Sequence, residues 1–594
     1  MQKSPNSTVC WCLRCISKAY TASLLEIKIG LLWEDSSASL ITGQRGFLRR
    51  QLIFRRKYRN PTNITGGVRR NMNKKKGGKT AAVIDIGSNM LRMQISQLRK
   101  GAVFPVDRLE YPVTLGHEVF TSGKISFESL RELTGILRGF SNVMAEYGVE
   151  DYRVVATTAL REAHNKTFIA DQLKIQNNMN VSILEDNQEK SLIFSSIFDS
   201  LQDVETIRNG TSLVTHIGTG TIGFSVYSNG TVAFSQNIPL GALKLHDKLG
   251  ALQNETDDFY TVISEYVNLI IQHIAITLPE MDPPISNLVI TGSATRTIAS
   301  LCGVPETDGN FILTAKQIKK VFKEMRSLTT EKLSLKYGIT EEAAELLYSS
   351  LAIYVQLIEF TKAATVIAPR TDLCSTLVRF LLQPKSAAAF REQVRANAIS
   401  CARETAENYG CNRSHAEQVR LFGCQIFDKM KKAHGLDQHS KLLLEVASIL
   451  HDSGYYVNSK QHLSSTFDLI KNMDVYGLTD EETLYIAYVA RYTGYESDSM
   501  DEGDDLYLLS DEKQLLVSKL TAIFRLADSL DKSQKQKFSS IKVKLEHDRL
   551  LITAETDVNP YLEKWAFGQC AVFFKEVFGI TPELIVKSAA VRAI

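Results

Sequence analysis

Two short apolar runs along the chain each end in a glycine-rich turn. Residues 82–84 lead into the turn Asp85-Ile-Gly-Ser-Asn, and residues 213–215 lead into a second turn over residues 216–221, about 130 residues further on. A buried strand that ends in such a turn presents backbone N–H groups and hydroxyls to an anion. The pair of turns therefore predicts a two-sided clamp for a phosphate group.

The hydrophobic pattern around both turns predicts an α/β layer fold. In the first region a strand lies on each side of the turn, a helix covers residues 127–147 and a strand covers residues 152–156. The second region repeats this order. Its strands are predicted over residues 212–227, 231–236 and 287–291, with a turn at Asn229-Gly230 between the first two.

Helical periodicity then dominates up to about Asp531, and strand alternation returns near the end of the chain. The predicted helices are residues 314–337, 340–361, 385–409 and 561–578, and the late strands are residues 541–545 and 550–553. We interpret the chain as two α/β lobes, an all-helical domain and a small α/β cap. The predicted boundaries are 79–195 and 196–384 for the lobes, 385–540 for the helical domain and 541–594 for the cap.

Charge is distributed unevenly. The chain is 44% hydrophobic and 23% charged, which is typical of a globular protein. Residues 1–79 contain 17 Lys and Arg and three acidic residues, whereas the remaining residues contain 52 Lys and Arg and 63 acidic residues. Together they give the net charge of +3. We interpret residues 1–78 as a disordered basic extension rather than a nucleic-acid or lipid-binding arm, so nucleic acid is not an expected partner.

The remaining composition excludes several classes of protein. No apolar run reaches membrane-spanning length, so we expect a cytoplasmic protein without a membrane partner. Six of the nine cysteines are scattered, which predicts reduced thiols. Cys10, Cys12 and Cys15 form a CxCxxC cluster that lacks a nearby fourth ligand, and this pattern does not favour a metal site.

Several motifs occur together and in a fixed order. They are the first glycine turn, Ala156-Thr-Thr-Ala-Leu-Arg-Glu-Ala-His-Asn165, Asn187-Gln188-Glu189 ahead of Leu192-Ile193, and the second glycine turn. In order and spacing they resemble the exopolyphosphatase and guanosine pentaphosphate phosphatase (Ppx/GppA) family over most of residues 80–594. The resemblance implies an α/β fold whose two lobes are of the actin, Hsp70 and sugar-kinase type, which is ribonuclease H-like, followed by a helical HD-type domain.

The resemblance also implies roles for individual residues. Alignment on Leu192-Ile193 places Glu189 where the family has the glutamate that activates the attacking water, and Arg161 is expected to contact substrate phosphate. Asp85 and Glu189 are expected to hold Mg²⁺ or Mn²⁺. The expected phosphate-binding residues are Gly87, Ser88, Asn89, Gly218, Thr219, Gly220 and Thr221.

The chain departs from the family at two positions that bear on activity. His216 stands where the family has a metal-binding aspartate, and a neutral imidazole is a poor ligand for Mg²⁺. Ser191 stands where the family has an arginine, and the motif at residues 292–295 is loosened. One reading is a slow or specialised phosphatase. The other is a sensor that binds a nucleotide or polyphosphate without turnover.

A second set of candidate ligands lies in the helical region, at His415, His451-Asp452 and Asp528. It resembles the series of HD phosphohydrolases, which implies convergence on a second divalent metal. Adjacent His and Asp side chains point roughly 100° apart on a helix, so both reach one ion only beside the helix flank. The alternative is that these residues hydrogen-bond within a helical core and catalyse nothing.

The sequence thus predicts a cytoplasmic phosphohydrolase, similar to exopolyphosphatases and guanosine pentaphosphate phosphatases, that releases terminal phosphate from polyphosphate or the pentaphosphate nucleotide. The resemblance also implies a homodimer. The alternatives are the phosphate-ligand sensor and nucleotide hydrolysis in the HD-type domain.

Overall fold

The computed structural model describes residues 78–201, 207, 210–250, 252, 255–256, 258–278, 281, 284–326, 328–494 and 505–587. The basic extension, apart from residue 78, and the cluster of Cys10, Cys12 and Cys15 lie outside these ranges. The account below concerns the described residues.

The first lobe is built on a sheet with strand order β3-β2-β1-β4-β5. Its strands are β1 (Thr80–Ile86), β2 (Met90–Arg99), β3 (Ala102–Pro112), β4 (Asp151–Ala156) and β5 (Val181–Ile183). β1 pairs antiparallel with β2 and parallel with β4, which in turn pairs parallel with β5. The carboxyl ends of β1, β4 and β5 therefore meet at one edge of the sheet.

The second lobe repeats this topology in the order β10-β11-β9-β6-β7-β8. Its strands are β6 (Thr211–Ile217), β7 (Ile222–Ser228), β8 (Thr231–Ile238), β9 (Ile285–Gly292), β10 (Asn310–Thr314) and β11 (Thr365–Pro369). The predicted single strand over residues 212–227 is wrong, because the second glycine turn divides it into β6 and β7. β6 pairs antiparallel with β7 and parallel with β9, as β1 does with β2 and β4.

Helices cover both sheets. They are α1 (Leu115–Ser122), α2 (Phe127–Glu146), α3 (Thr158–Glu162), α4 (Lys166–Asn177), α5 (Asp186–Leu201), α6 (Ala242–Leu249), α7 (Phe259–Thr277), α8 (Thr295–Leu301), α9 (Ala315–Met325), α10 (Thr330–Tyr337), α11 (Glu341–Thr361) and α12 (Leu373–Leu382). The predicted continuous helix over residues 314–337 is wrong. Thr314 ends β10 and caps α9 by accepting from Gln317 N, and Thr329 caps the separate helix α10 by accepting from Lys332 N.

The C-terminal region is helical and carries a small sheet. Its elements are α13 (Pro384–Asn408), α14 (Arg413–Lys429), α15 (Lys431–His434), α16 (Gln438–Leu450), α17 (His462–Lys471), α18 (Asp480–Arg491), α19 (Asp511–Ser529), α20 (Tyr561–Phe578), β12 (Ile541–Glu546), β13 (Arg549–Glu555) and β14 (Thr581–Lys587). The sequence did not predict β14. Phe567 and Phe574 of α20 share one apolar core with Phe422 and Leu444 of the helices, and the predicted domain boundaries stay predictions.

Helix α12 returns from the second lobe to the first. Leu377 of α12 packs in one cluster with Val83 of β1 and Leu192 of α5. The helix that carries Glu189 is thereby held against the face of the first sheet. In the part of the chain described above, no helix has the length and apolar character that crossing a bilayer requires.

Candidate active site

The predicted clamp residues gather where parallel strands end. The first glycine turn follows β1, α3 follows β4, α5 follows β5 and the second turn follows β6. Thr157 N donates to Ile86 O at 3.3 Å and Leu184 N donates to Ala156 O at 2.9 Å, which ties the three ends of the first sheet together. The carboxyl edge of parallel strands is the usual position of ligand sites in open α/β sheets.

The first turn has a closed backbone that requires glycine. Gly87 N donates to Met90 O at 3.1 Å, and a Cβ at position 87 would lie 2.8 Å from the same oxygen. Gly116 N, in the first turn of α1, donates to Ser88 O at 2.9 Å. The N–H of Gly87 is thus used inside the turn, and its contribution is to shape the loop that carries Ser88 and Asn89.

Three side-chain oxygens at this turn are buried without a bond. Asp85 Oδ1, Ser88 Oγ and Asn89 Oδ1 have no hydrogen-bond partner among the described residues. Buried polar atoms are nearly always paired, so three orphans in five residues indicate a missing ligand. Hard oxygen donors, one of them a carboxylate, suit Mg²⁺ or Mn²⁺, and the residues present therefore fit the cation that the sequence implies.

Asp85 has a charged neighbour that the sequence analysis missed. This neighbour is Arg92, which lies directly opposite Asp85 on β2. Arg92 Nη1 lies 3.4 Å from Asp85 Oδ2, and Arg92 Nε lies 3.6 Å from Glu110 Oε1. Burial raises the pKa of Asp85 to about 6, against the opposing effect of Arg92. The four-residue turn fixes the register of this hairpin, so that register could have identified Arg92.

The second turn repeats the geometry of the first. Gly218 N donates to Thr221 O at 2.9 Å, and Ala242 N at the start of α6 donates to Gly218 O at 2.9 Å. A Cβ on Gly220 would lie 2.2 Å from Cγ2 of Thr158, so the first lobe approaches this turn closely. Gly218, like Gly87, shapes its turn through its N–H group.

His216 precedes this second turn as a neutral ring. Its Nδ1 lies 2.9 Å from Thr291 Oγ1, the hydroxyl of its direct partner on β9. Burial lowers the pKa of His216 to about 4. His216 therefore contributes no negative charge, whereas the aspartate that the family resemblance implies at this position would contribute one.

Arg161 and Glu189 meet at the start of α5. Arg161 Nη1 donates to Glu189 Oε2 at 3.1 Å and to Leu184 O at 2.6 Å. Its Nη2 donates to Thr158 Oγ1 at 3.0 Å and to Asp186 Oδ1. Four bonds within the protein hold this guanidinium, so its placement fits an orienting role for Glu189 at least as well as the expected contact with substrate.

The carboxyl group of Glu189 titrates near neutrality. Burial raises its pKa from 4.5 to about 7; Arg161 opposes this shift, while the charges of Asp186 and Asp85 add to it. Ser191 is buried and donates from Oγ to Gln188 O at 2.8 Å, so it supplies no cation in place of the family arginine. The ionised forms of buried Asp85 and partly buried Glu189 would both be stabilised by a bound cation.

The HD-type residues also converge. One possible ligand atom each from His415, His451 and Asp452 lies within 4.8 Å of the others. Asp528 Oδ1 lies 3.3 Å from His415 Nε2 and 3.8 Å from His451 Nε2. The structure thus brings all four predicted residues together from three segments of the helical region.

Hydrogen bonds on the far side of each ring orient the two imidazoles. His451 Nδ1 lies 2.9 Å from Ser448 O, which can only accept, so Nδ1 carries a proton and Nε2 is the ring nitrogen that faces the cluster. His451 Nε2 has no hydrogen-bond partner among the described residues. His415 Nδ1 lies 2.9 Å from Asp531 Oδ2, a carboxylate that the sequence analysis missed. Such partners orient metal-binding histidines, so the cluster fits a divalent metal.

Charges inside the cluster partly compensate one another. Burial disfavours the charged form of His415, but hydrogen bonds to Asp528 and Asp531 prevail and raise its pKa to about 9. Burial opposes ionisation of Asp528 as well, yet the bond from His415 and the charge of Lys532 hold its pKa well below the usual range. A carboxylate that stays ionised is available as a metal ligand.

Comparison with known proteins assigns the chain to a class. The model of the Ppx/GppA phosphatase family matches residues 94–371, and that of Ppx/GppA phosphatase domain III matches residues 394–566. The fold and the matched regions together define a phosphatase of the two-lobed type. The chain belongs to the Ppx/GppA phosphatase family, as the sequence predicted. The first match includes Arg161, Glu189 and the second turn, and the second includes the four HD-type residues.

Individual relatives are distant. The guanosine-5'-triphosphate,3'-diphosphate pyrophosphatase of Aeromonas salmonicida is 21% identical over 409 residues, covering 67% of this chain and 77% of its own. The enzyme of that name from Vibrio cholerae is 20% identical over 451 residues, 74% of this chain and 86% of its own. Among solved structures, the Ppx/GppA family member of Aquifex aeolicus is 20% identical with a TM-score of 0.44, covering 53% of this chain and 98% of its own. An exopolyphosphatase from Cytophaga hutchinsonii is 17% identical with a TM-score of 0.42, covering 52% and 98%.

Proposed function

We propose that the protein hydrolyses a terminal phosphoanhydride bond, releasing phosphate from polyphosphate or from guanosine pentaphosphate. The observation that carries the proposal is a partly buried glutamate, Glu189, which is oriented by Arg161 and lies in the electrostatic range of Asp85 at the first glycine turn. Family membership and the names of the relatives support this choice of substrates.

Each residue has a part that follows from its surroundings. Glu189, with a pKa of about 7, is largely a carboxylate at slightly alkaline pH and can accept a proton from water. Asp85, with Ser88 and Asn89, would hold Mg²⁺ or Mn²⁺, which when bound neutralises phosphate charge. Arg161 fixes the direction of the Glu189 carboxylate, and the two turns define where a phosphate group fits.

The competing candidate is a sensor that binds the same ligands without turnover. It is favoured by neutral His216 and by Ser191, which supply neither the acid nor the cation that the resemblance would place there. The two candidates differ in the chemical step alone, because both use the clamp for binding.

Phosphate release separates these candidates. The full chain and its Glu189→Gln variant are incubated with long-chain polyphosphate or guanosine pentaphosphate, with Mg²⁺ and with Mn²⁺. We expect release by the wild type and a loss of roughly 10²–10⁴-fold in the variant, the range for removal of a general base. Ligand-induced thermal stabilisation without any release in either protein would establish the sensor.

A second activity is supported by the HD-type cluster, where we propose a bound divalent metal and nucleotide hydrolysis. The supporting observation is that His451 Nε2 faces the other three possible ligand residues, His415, Asp452 and Asp528. Metal content of the wild type and of Asp452→Ala tests binding. Hydrolysis that survives Glu189→Gln but not Asp452→Ala would assign activity to this cluster, and a metal-free wild type after growth with Mn²⁺ would contradict it.

A homodimer, expected from the family resemblance, and a cytoplasmic location, expected from the hydrophobic pattern of the sequence, are further proposals. Light scattering during gel filtration of the full chain tests the first, with twice the chain mass of 66.4 kDa expected. Cell fractionation tests the second, with the protein expected in the supernatant after membranes are removed.

A further inference from the structure

The first turn of α5 lies between two sets of contacts. One side carries Asp186 and Glu189, which bind Arg161 of the first lobe. The other side carries Asn187 and Lys190, which face the C-terminal helical region. Residues 472–479, between α17 and α18, form a segment that we call the α17–α18 loop. This loop reaches the base-carrying helix on the face that carries Asn187 and Lys190.

Asp474 of the α17–α18 loop bridges three parts of the fold. Asn187 Nδ2, on α5, donates to Asp474 Oδ1 at 3.2 Å. Asn237, on β8, donates from its backbone N to Asp474 Oδ2 at 2.7 Å and from Nδ2 to Oδ1 at 3.2 Å. Asn237 Nδ2 also donates to Asn187 Oδ1 at 2.8 Å, which closes the network. A carboxylate with this many donors fixes the relative positions of all three elements.

Two further contacts join the same surfaces. Asp480 N, at the start of α18, donates to Glu185 Oε2 at 2.7 Å. The aliphatic part of Lys190 lies over Gly223 of β7, where a Cβ would meet Lys190 Cδ at 3.0 Å, and its ammonium group is buried. The charge of Asp474 stabilises that ammonium, although burial still lowers the pKa of Lys190 to about 8. Loss of Asp474 would therefore also remove the largest favourable charge acting on Lys190.

We propose that Asp474 is a positioning residue for Glu189: the α17–α18 loop holds the first turn of α5 so that Glu189 stays in its bond with Arg161. This inference rests on the proposed phosphatase function of the two-lobed site. It gives the helical region a part in that reaction which does not depend on a metal in the HD-type cluster.

The test compares Asp474→Asn in the full chain with wild type and with Asp428→Asn as a matched control. Asp428 pairs with Lys441 on the surface of the same region, at 2.7 Å and 2.9 Å, away from α5. Kinetics of phosphate release are measured across pH, and hydrogen exchange is measured in peptides covering residues 184–192. Asn187→Ser, which removes the α5 side of the contact alone, serves if Asp474→Asn does not fold.

We expect Asp474→Asn to lower kcat by roughly 10-fold to 100-fold, because small displacements of a catalytic group have effects of this size. KM should stay within about twofold. The acid limb of the pH profile should move, because a Glu189 carboxyl that leaves Arg161 changes both its burial and the charge beside it. Exchange in residues 184–192 should become faster than in wild type, and Asp428→Asn should match wild type throughout.

The outcomes separate this inference from the proposed function. Lower thermal stability with an unchanged kcat and an unchanged acid limb would overturn the positioning role and leave Asp474 a structural contact. If wild type releases no phosphate, the proposed function fails and exchange alone decides. Unchanged exchange in residues 184–192 would then overturn the contact's hold on α5, and faster exchange would support it.

Discussion

Replacement of Glu189 by glutamine should make the protein more stable above neutral pH. The carboxyl group is partly buried, and loss of solvent raises its pKa from an ordinary 4.5 to about 7 on folding. The folded state therefore favours the protonated form. Its contribution to stability is complete below the unfolded pKa and is lost as pH rises through the folded pKa. A glutamine amide has no charge to bury, and its oxygen can still accept from Arg161.

The size of this effect follows from the shift. One pKa unit corresponds to about 1.4 kcal/mol of stability. The part of the titration that falls below pH 5 is not sampled in an experiment between pH 5 and pH 8. Between pH 5 and pH 8 the wild type should lose about 2–3 kcal/mol relative to Glu189→Gln. The variant should thus gain on the wild type progressively across this interval.

Thermal denaturation at pH 5, 6, 7 and 8, in the presence of a chelator, measures the gap in stability between Glu189→Gln and wild type. Glu128→Gln, the same substitution in the exposed first turn of α2, is the matched control. A gap for Glu189→Gln that is equal at pH 5 and pH 8 would refute the burial argument. A gap that grows with pH while activity is lost would link the partly buried carboxyl to the reaction.

Three other predictions concern packing and metal. Gly220→Ala should destabilise the protein by about 1–3 kcal/mol, because its Cβ would lie 2.2 Å from Thr158 Cγ2. Thr158→Ser, which removes that methyl group, should recover most of the loss in the double variant. A double variant whose loss in thermal melts equals the sum of the two single losses would contradict this. Gly454→Ala should lower the free energy of unfolding, measured by calorimetry, by about 1–3 kcal/mol, because its Cβ would lie 2.0 Å from the backbone oxygen of His462. An unchanged melting temperature would show instead that the segment adjusts to the added methyl group. Chelation should lower the melting temperature of the metal-loaded wild type more than that of His451→Ala, which keeps only the site at Asp85, and equal responses would exclude His451 as a ligand.

The fold was largely predictable where hydrophobic patterns had clear ends. The helix predicted over residues 127–147 is found as Phe127–Glu146, and the predicted strand 287–291 lies within β9. The errors arise where a predicted element was drawn through a local break. The strand predicted over residues 212–227 was drawn through the second glycine turn, which a hydrogen bond of Gly218 closes, and the helix predicted over residues 314–337 was drawn through the cap at Thr329. Periodicity does not register such local polar bonds.

The site was predictable to the extent that its residues lie in local motifs. Asp85 and Glu189 stand in recognisable turns, whereas Arg92, Asp531 and Asp474 act through pairings that only the folded chain creates. Arg92 could have been found from hairpin register. Asp474 could not, since it contacts Asn187 from 287 residues away in the sequence. Long-range partners of this kind leave no periodic or spacing signal.

The two glycine turns have similar backbones but different charges, and this difference separates binding from chemistry. Gly87 and Gly218 close their turns with the same bond, so the shape that under our proposal would receive a phosphate group is encoded twice. The acidic side chain is retained only at Asp85, because His216 is neutral. Metal affinity should therefore depend mainly on the first lobe, and phosphate affinity on both. Under our proposal, lowering the Mg²⁺ concentration should abolish phosphate release before it abolishes binding of the phosphate ligand. Simultaneous loss of release and binding would show that the metal binds the ligand as well as promoting its hydrolysis.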